Sequence, residues 1–240
     1  MPAHPVAAVP RPTSVSAFAV PALAALAVVA GALLRLWNLG AWSLWGDEVA
    51  STNLAAAPAS TILTRATDLY PPLYSVFLHF WQQLGDGEAL LQGEALLRMP
   101  SALAGLATIG CLAWVALQLD IPHRRTVALN AAALLALSPL HIWYSREARM
   151  YAPAALFATA AAACYLGILR PVESGPRSPL ADDLRVLPAA RVSSTSRLRV
   201  PGLAYAVFML LGMYTAYANV LLWIAGLIAA PILAHVLYGQ

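Results

Sequence analysis

The feature that most constrains this chain is its series of apolar stretches near bilayer length. Five stand out: 16–37, 99–119, 126–145, 150–169 and 200–238. A hydrocarbon core of about 30 Å takes roughly 20 helical residues to cross. The last stretch is too long for one ordinary span, and Tyr214-Thr215-Ala216-Tyr217-Ala218-Asn219 interrupts it with polar groups. Splitting it there gives six spans. Composition agrees: only 10% of the residues are charged and 60% are hydrophobic, against about 25% charged in soluble domains. No soluble core of this size hides so much apolar surface, so lipid is the expected solvent. The expected fold is all-α, an integral membrane helix bundle of about six spans.

Segment 72–84 is apolar but short. At about 1.5 Å per residue it covers roughly 20 Å, too little to cross. It also carries His79, Gln82 and Gln83. It is expected to lie in the interface as an amphipathic helix, with Phe77, Phe80 and Trp81 dipping into lipid. The first stretch lacks a short apolar core followed by a small-residue cleavage site, so it reads as a retained anchor.

The distribution of arginine sets the orientation. With six spans and an inner N-terminus, the inner segments hold Arg11, Arg124, Arg125, Arg170, Arg177, Arg185, Arg191, Arg197 and Arg199. The outer segments and span ends hold Arg35, Arg65, Arg98, Arg146 and Arg149. If 72–84 crossed, the Arg-bearing loops after it would flip outward. The chain then divides into a cytoplasmic tail, 1–15, and a transmembrane domain, 16–240. That domain includes an outer loop, 38–98, and an Arg-, Ser- and Pro-rich cytoplasmic linker, 170–199. The expected location is the cell membrane. The sequence stops at Gly239-Gln240 directly after an apolar run, which suggests the N-terminal part of something longer.

Every basic residue is Arg, and none sits in a cluster interleaved with aromatics. Nucleic acid is therefore not an expected partner. Cys111 and Cys164 fall inside apolar runs and read as small packing residues, not as a disulfide framework. The histidines are scattered without ligand spacing, so a histidine metal site is not expected. His141 is expected at the interface or lining a cavity.

Nearly every unusual polar group falls in the outer segments. In Trp42-Ser43-Leu44-Trp45-Gly46-Asp47-Glu48, the Trp residues suit an interfacial belt. Asp47 either caps a short helix, 48–57, with Glu48 in its first turn, or serves as a general base at the membrane surface. Tyr70-Pro71-Pro72-Leu73-Tyr74 reads as a helix start or as a rigid corner presenting Tyr70. Arg98, at the outer end of the second span, either snorkels to the interface or binds a lipid phosphate. Ser145-Arg146-Glu147-Ala148-Arg149-Met150-Tyr151 packs three charges into one turn. A helical turn there would place Arg146 and Arg149 on one face. The group is either an interfacial salt-bridge cluster or a phosphate anchor, with Arg149 binding and Glu147 orienting.

Taken in order, W-x-D-E after the first span, P-P-L-Y, R-x-P-S-A-L and S-P-x-H-x-x-Y-S-x-E-x-R-M-Y resemble the GT-C membrane glycosyltransferases. More narrowly, they resemble glycosyltransferase family 39, which includes protein O-mannosyltransferases and lipid A aminoarabinose transferases. The resemblance runs from about Trp37 to about Tyr217. It implies a GT-C-like bundle that takes a sugar from a polyprenyl-phosphate carrier and passes it to a protein, lipid or glycan acceptor outside the cytoplasm. Asp47 then matches the catalytic carboxylate and Glu48 its neighbour. Tyr70, Arg98, Glu147, Arg149 and Tyr151 match the surroundings of the lipid phosphate and sugar. The sequence departs from the pattern at Tyr70, where many relatives carry His or Lys, and at Thr215-Ala216-Tyr217, where many carry Thr-His-Tyr. No cofactor is required by this reading. A divalent ion between Asp47 and Glu48 stays open, as an incomplete ligand set.

Two other readings stand beside it. A flippase or transporter of a lipid-linked substrate would place ionisable groups near the midplane and show repeated halves. Here the charges gather at one face and no repeat is visible. A non-catalytic relative would only bind lipid phosphate or a partner.

Overall fold

The computed structural model describes residues 19–65, 71–85, 93–169 and 195–216. Tyr70, Tyr217, most of the 170–199 linker and the apolar run 220–238 lie outside them. The described residues form nine α-helices and no strand: α1 (Ala19–Leu36), α2 (Gly46–Ala56), α3 (Ala59–Arg65), α4 (Leu73–Gln82), α5 (Gly93–Gln118), α6 (Arg124–Ala136), α7 (Pro139–Ser145), α8 (Tyr151–Leu169) and α9 (Thr195–Thr215). Two of them, α5 and α8, are long and apolar enough to cross a membrane. The pair α6–α7 makes a third if it is one bent span. The apolar parts of α1 (Pro21–Leu36) and α9 (Val200–Thr215) are shorter.

The bundle is built on small residues. α5 packs against α8 and α6, α8 against α9, and α1 against α6. Ala102, Ala104, Ala116, Ala132, Ala136, Ala160, Ala161 and Ala163 are all buried. Small side chains let helix backbones approach closely where lipid supplies no hydrophobic drive. Two glycines mark the tightest crossings. A Cβ on Gly31 of α1 would run into the Ala136 carbonyl of α6, and one on Gly105 of α5 into the Ser145 hydroxyl of α7.

The stretch 126–145, expected as one helix, is broken. α6 and α7 meet at 64° across Leu137 and Ser138. Ser138 is the N-cap of α7, its hydroxyl accepting from the His141 amide, and Pro139 occupies the first turn. That is a helix start in the middle of an apolar run. The break leaves carbonyls at the end of α6 without intrahelical partners. Arg35 of α1 fills them: its Nη1 donates to Ala136 O and Gly31 O at 2.7 Å, and its Nη2 to Leu135 O at 3.2 Å and His141 Nδ1 at 2.8 Å. A guanidinium only donates, so Nδ1 is the accepting nitrogen of His141. Arg35 is fully buried.

Pro100 inside α5 removes the amide that would bond the Leu96 carbonyl. The Trp81 indole supplies the missing donor, with Nε1 to Leu96 O at 2.9 Å. Trp81 thus packs inward beside the cluster of Ala55, Tyr74, Leu78 and Met150. That corrects the expectation that it dips into lipid. Phe77 and Phe80 of α4 are exposed. The same cluster receives Ala216, at the end of α9.

Candidate functional site

Four helix ends meet at one end of the bundle: the C-terminus of α1, the N-termini of α5 and α8, and the C-terminus of α9. The 37–45 segment, α2, α4 and the 146–150 turn cover them.

The N-cap of α2 is Trp45, with extended backbone. Glu48 reaches back to it, accepting from the Trp45 amide at 3.3 Å. Asp47 is therefore not the cap; it sits in the first turn. The two adjacent carboxylates diverge completely. Glu48 is fully buried, whereas the Asp47 side chain is 51% exposed.

Glu48 and Arg98 form a bidentate pair. Arg98 Nε donates to Glu48 Oε1 at 2.8 Å and Nη2 to Oε2 at 2.7 Å. The remaining donors of Arg98 meet the carbonyls of Leu39 at 3.0 Å, Trp42 at 2.8 Å and Ser43 at 3.2 Å. A guanidinium has five N–H groups, and here all five have acceptors. Arg98 is thus neither a snorkelling residue nor a free phosphate ligand. It ties the segment after α1 to the start of α5. Burial alone would raise the Glu48 carboxyl. The Arg98 hydrogen bonds and charge, with the amides of Ala148 and Trp45, outweigh burial and hold it below the usual carboxylate range.

The Ala148 amide donates to Glu48 Oε1 at 2.7 Å. Because Glu48 grips Ala148, their chain neighbours Asp47 and Arg149 are brought together. Arg149 Nη2 lies 3.4 Å from Asp47 Oδ2. Its Nη1 donates to Ser51 Oγ at 3.1 Å and to Asp47 O at 3.2 Å, and its Nη2 to the Tyr151 hydroxyl at 3.3 Å. The guanidinium also lies 5.4 Å from the Tyr151 ring centroid, within cation–π range. The Arg149 side chain is only 2% exposed. From below, Ser101 Oγ donates to Arg149 O at 2.9 Å, and the Tyr74 hydroxyl lies 3.4 Å from Ser101 Oγ.

The 146–149 turn is not helical, so Arg146 and Arg149 do not share a face. Arg146 turns away and donates to Leu34 O at 2.5 Å, Trp37 O at 2.8 Å and Asn38 O at 3.4 Å. It closes the end of α1, where Asn38 adopts φ 54°, a left-handed position that Asn tolerates. Glu147 is buried, and its Oε2 has no hydrogen-bond partner. Burial raises its carboxyl above the usual range. The charges of Glu48 and Asp47 push the same way, and Trp143 and Arg149 act against them.

Asp47, Glu48, Arg98, Glu147, Arg149 and Tyr151 thus lie together at one end of the bundle, and Tyr70 lies outside the described residues. Ser51, Tyr74 and Ser101 join them. Ser51 had a signal in the sequence, since it lies four residues after Asp47 and so on the same helix face. Tyr74 and Ser101 lie in the P-P-L-Y and R-x-P-S-A-L motifs, but nothing in the sequence singled them out from their motif neighbours. The pair Asp47–Glu48 does not form a cation site, because both oxygens of Glu48 are taken by Arg98 and backbone amides. Among the described residues, no three His, Cys, Asp or Glu side chains gather in a way that could hold a metal ion. Comparison of the chain with protein-family models, with curated proteins and with solved structures returns no match.

Proposed function

We propose that the chain is the catalytic part of a GT-C-like membrane glycosyltransferase, with six spans and its site on the outer face of the cell membrane. It would move a sugar from a polyprenyl-phosphate carrier to an acceptor hydroxyl. The observation that carries this reading is the half-exposed Asp47 carboxylate, fixed against the buried Arg149 guanidinium. The motif order from Trp42 to Tyr151 suggests the substrate class, and helices apolar enough to cross a membrane support a lipid-linked donor.

The reaction suits one exposed carboxylate. The acceptor oxygen attacks the anomeric carbon while the bond from that carbon to the phosphate oxygen breaks. The bonding electrons leave on the phosphate, and Asp47 takes the acceptor proton. A phosphate is a good leaving group, so no second carboxyl is required to protonate it, in contrast to glycoside hydrolysis. Arg149, with Tyr151 and Ser51 beside it, provides positive potential where charge builds on the departing phosphate. Attack opposite the phosphate inverts the anomeric centre. Glu48 and Arg98 are positioning residues, since neither carries a free polar atom toward a substrate.

The test is sugar transfer in membranes from labelled polyprenyl-phosphate donors. Transfer should collapse in Asp47→Asn at unchanged expression, and equal transfer in both proteins would remove Asp47 from the chemistry. For orientation, a cysteine at exposed Ser60 should react with an impermeant thiol reagent from outside, and one at Arg185 should not. The reverse pattern would overturn the outer placement of the site.

A further inference from the structure

Glu147 is a buried carboxyl at this end of the bundle that the reaction above does not use. Its surroundings define its state. From α2 come Asp47 and Glu48, from α5 Arg98, from α7 Trp143, and from its own turn Arg149. That makes three carboxyls beside two guanidinia; Arg146, the preceding residue, spends its donors on the carbonyls of Leu34, Trp37 and Asn38, and Glu94 of α5 acts on Arg98. Arg98 is saturated by Glu48 and three carbonyls. Arg149 already serves Asp47. Full ionisation would leave one negative charge without a cation of its own. The cost of that charge is greatest where water is excluded and no donor is present. Glu147 comes nearest to both conditions: it is buried, its Oε2 has no hydrogen-bond partner, and the donor acting on its carboxyl is the neutral Trp143 indole. Glu48 is fully hydrogen-bonded, so it does not need to keep the proton.

We propose that Glu147 serves this site as a neutral carboxylic acid that donates a hydrogen bond to the anionic group bound beside Arg149. A protonated carboxyl has an O–H to give, and an unpartnered oxygen is where that O–H would sit. Under the glycosyltransferase reading, on which this rests, the anion is the phosphate of the lipid carrier. Glu147 and Arg149 would then hold it together, one through a neutral donor and one through charge. Burial and the two neighbouring carboxylates favour the protonated form of Glu147, against the opposing pull of Trp143 and Arg149.

The first test needs no activity. Infrared spectra of the full chain in lipid nanodiscs should contain a protonated-carboxyl C=O band at neutral pH. That band should be missing in Glu147→Gln and present in Asp47→Asn. Its absence from wild type, or its survival in Glu147→Gln, would overturn the proposal. The second test is binding of polyprenyl phosphate across pH. Wild type should lose affinity as pH rises and Glu147 ionises. Glu147→Gln keeps a neutral donor, so it should bind within a few-fold of wild type with that pH dependence removed. Glu147→Ala should bind roughly tenfold or more weakly. Equal binding by the Gln and Ala variants, or an unchanged pH profile in Glu147→Gln, would refute the donor role. If the band and the pH-dependent binding are present but wild type transfers no sugar, the acid role stands and the transferase reading falls.

Discussion

Asp47–Arg149 and Glu48–Arg98 are the same chemical pair one residue apart on the same helix, and they behave as opposites. Glu48–Arg98 is dry, bidentate and saturated by backbone groups. Asp47–Arg149 is a single 3.4 Å approach with the carboxylate half in solvent. Two charges taken fully out of water must be completely satisfied or they destabilise the fold. A pair whose carboxylate end stays half in solvent is screened there and keeps that carboxylate available for chemistry. The contrast separates a group that fixes geometry from a group that can react.

The largest effect should come from breaking the dry pair. Arg98→Ala leaves Glu48 buried without a cation and frees three carbonyls, so it should lose about 3–5 kcal/mol of stability. Thermal or denaturant unfolding in lipid nanodiscs measures this. Loss of under about 1 kcal/mol would mean that the pair is not the dry clamp described. A double replacement by apolar residues of similar volume, Arg98→Met with Glu48→Leu, should recover much of that loss. It should still impair transfer, because the Ala148 grip on Glu48 is gone.

Trp81→Phe comes next. It keeps the ring but strips the donor from the Leu96 carbonyl that Pro100 leaves open. A buried orphan acceptor costs about 1–3 kcal/mol. Equal stability of Trp81→Phe and wild type would show that the Leu96 carbonyl has another partner.

How much of this was legible in the sequence follows from the same contrast. Apolar length alone located α1 and α8 to within a few residues, and the end of α5, which begins at Gly93 and so well before the expected 99. The α6–α7 break was missed because 126–145 was read by hydropathy, although Ser138-Pro139 is a helix-start pair in plain view. Partners of the arginines were not legible. Arg35, Arg98 and Arg146 all end on backbone carbonyls, and which carbonyls a helix end leaves open depends on what packs there. For Asp47 and Glu48 the residue types implied chemistry, but only burial tells which of the two is locked away.

The pH dependence of stability should have two opposite parts. Glu48 has a folded-state pKa below its unfolded value. Its contribution is present above the unfolded pKa and is lost as pH falls through the folded one. Glu147 has a folded-state pKa above its unfolded value. Its contribution is full below the unfolded pKa and is lost as pH rises through the folded one. Stability should therefore fall on the acid side because of Glu48 and decline above the ordinary carboxylate range because of Glu147. Glu147→Gln should flatten the second decline and leave the first. An unchanged profile would mean that Glu147 has the same affinity for protons folded and unfolded.

Asp47→Asn should have the smallest effect on stability. The replacement keeps the shape, leaves the Asp47 carbonyl available to Arg149, and removes one half-exposed charge from an approach of 3.4 Å. Only the Asp47 end is in solvent, but Arg149 keeps the Asp47 carbonyl, Ser51 and Tyr151 as partners, so the loss should stay near the upper end of the roughly 0–1 kcal/mol of solvent-screened pairs. The buried pair beneath it does not depend on Asp47, since Glu48 reaches Arg98, Trp45 and Ala148 through its own oxygens. Unfolding of wild type and Asp47→Asn side by side decides the matter. A loss comparable to that of Arg98→Ala would mean that Asp47 is part of the scaffold and would end the distinction between the two pairs. Near-equal stability would make Asp47→Asn a clean probe, in which any lost sugar transfer belongs to the missing carboxylate and not to a damaged fold.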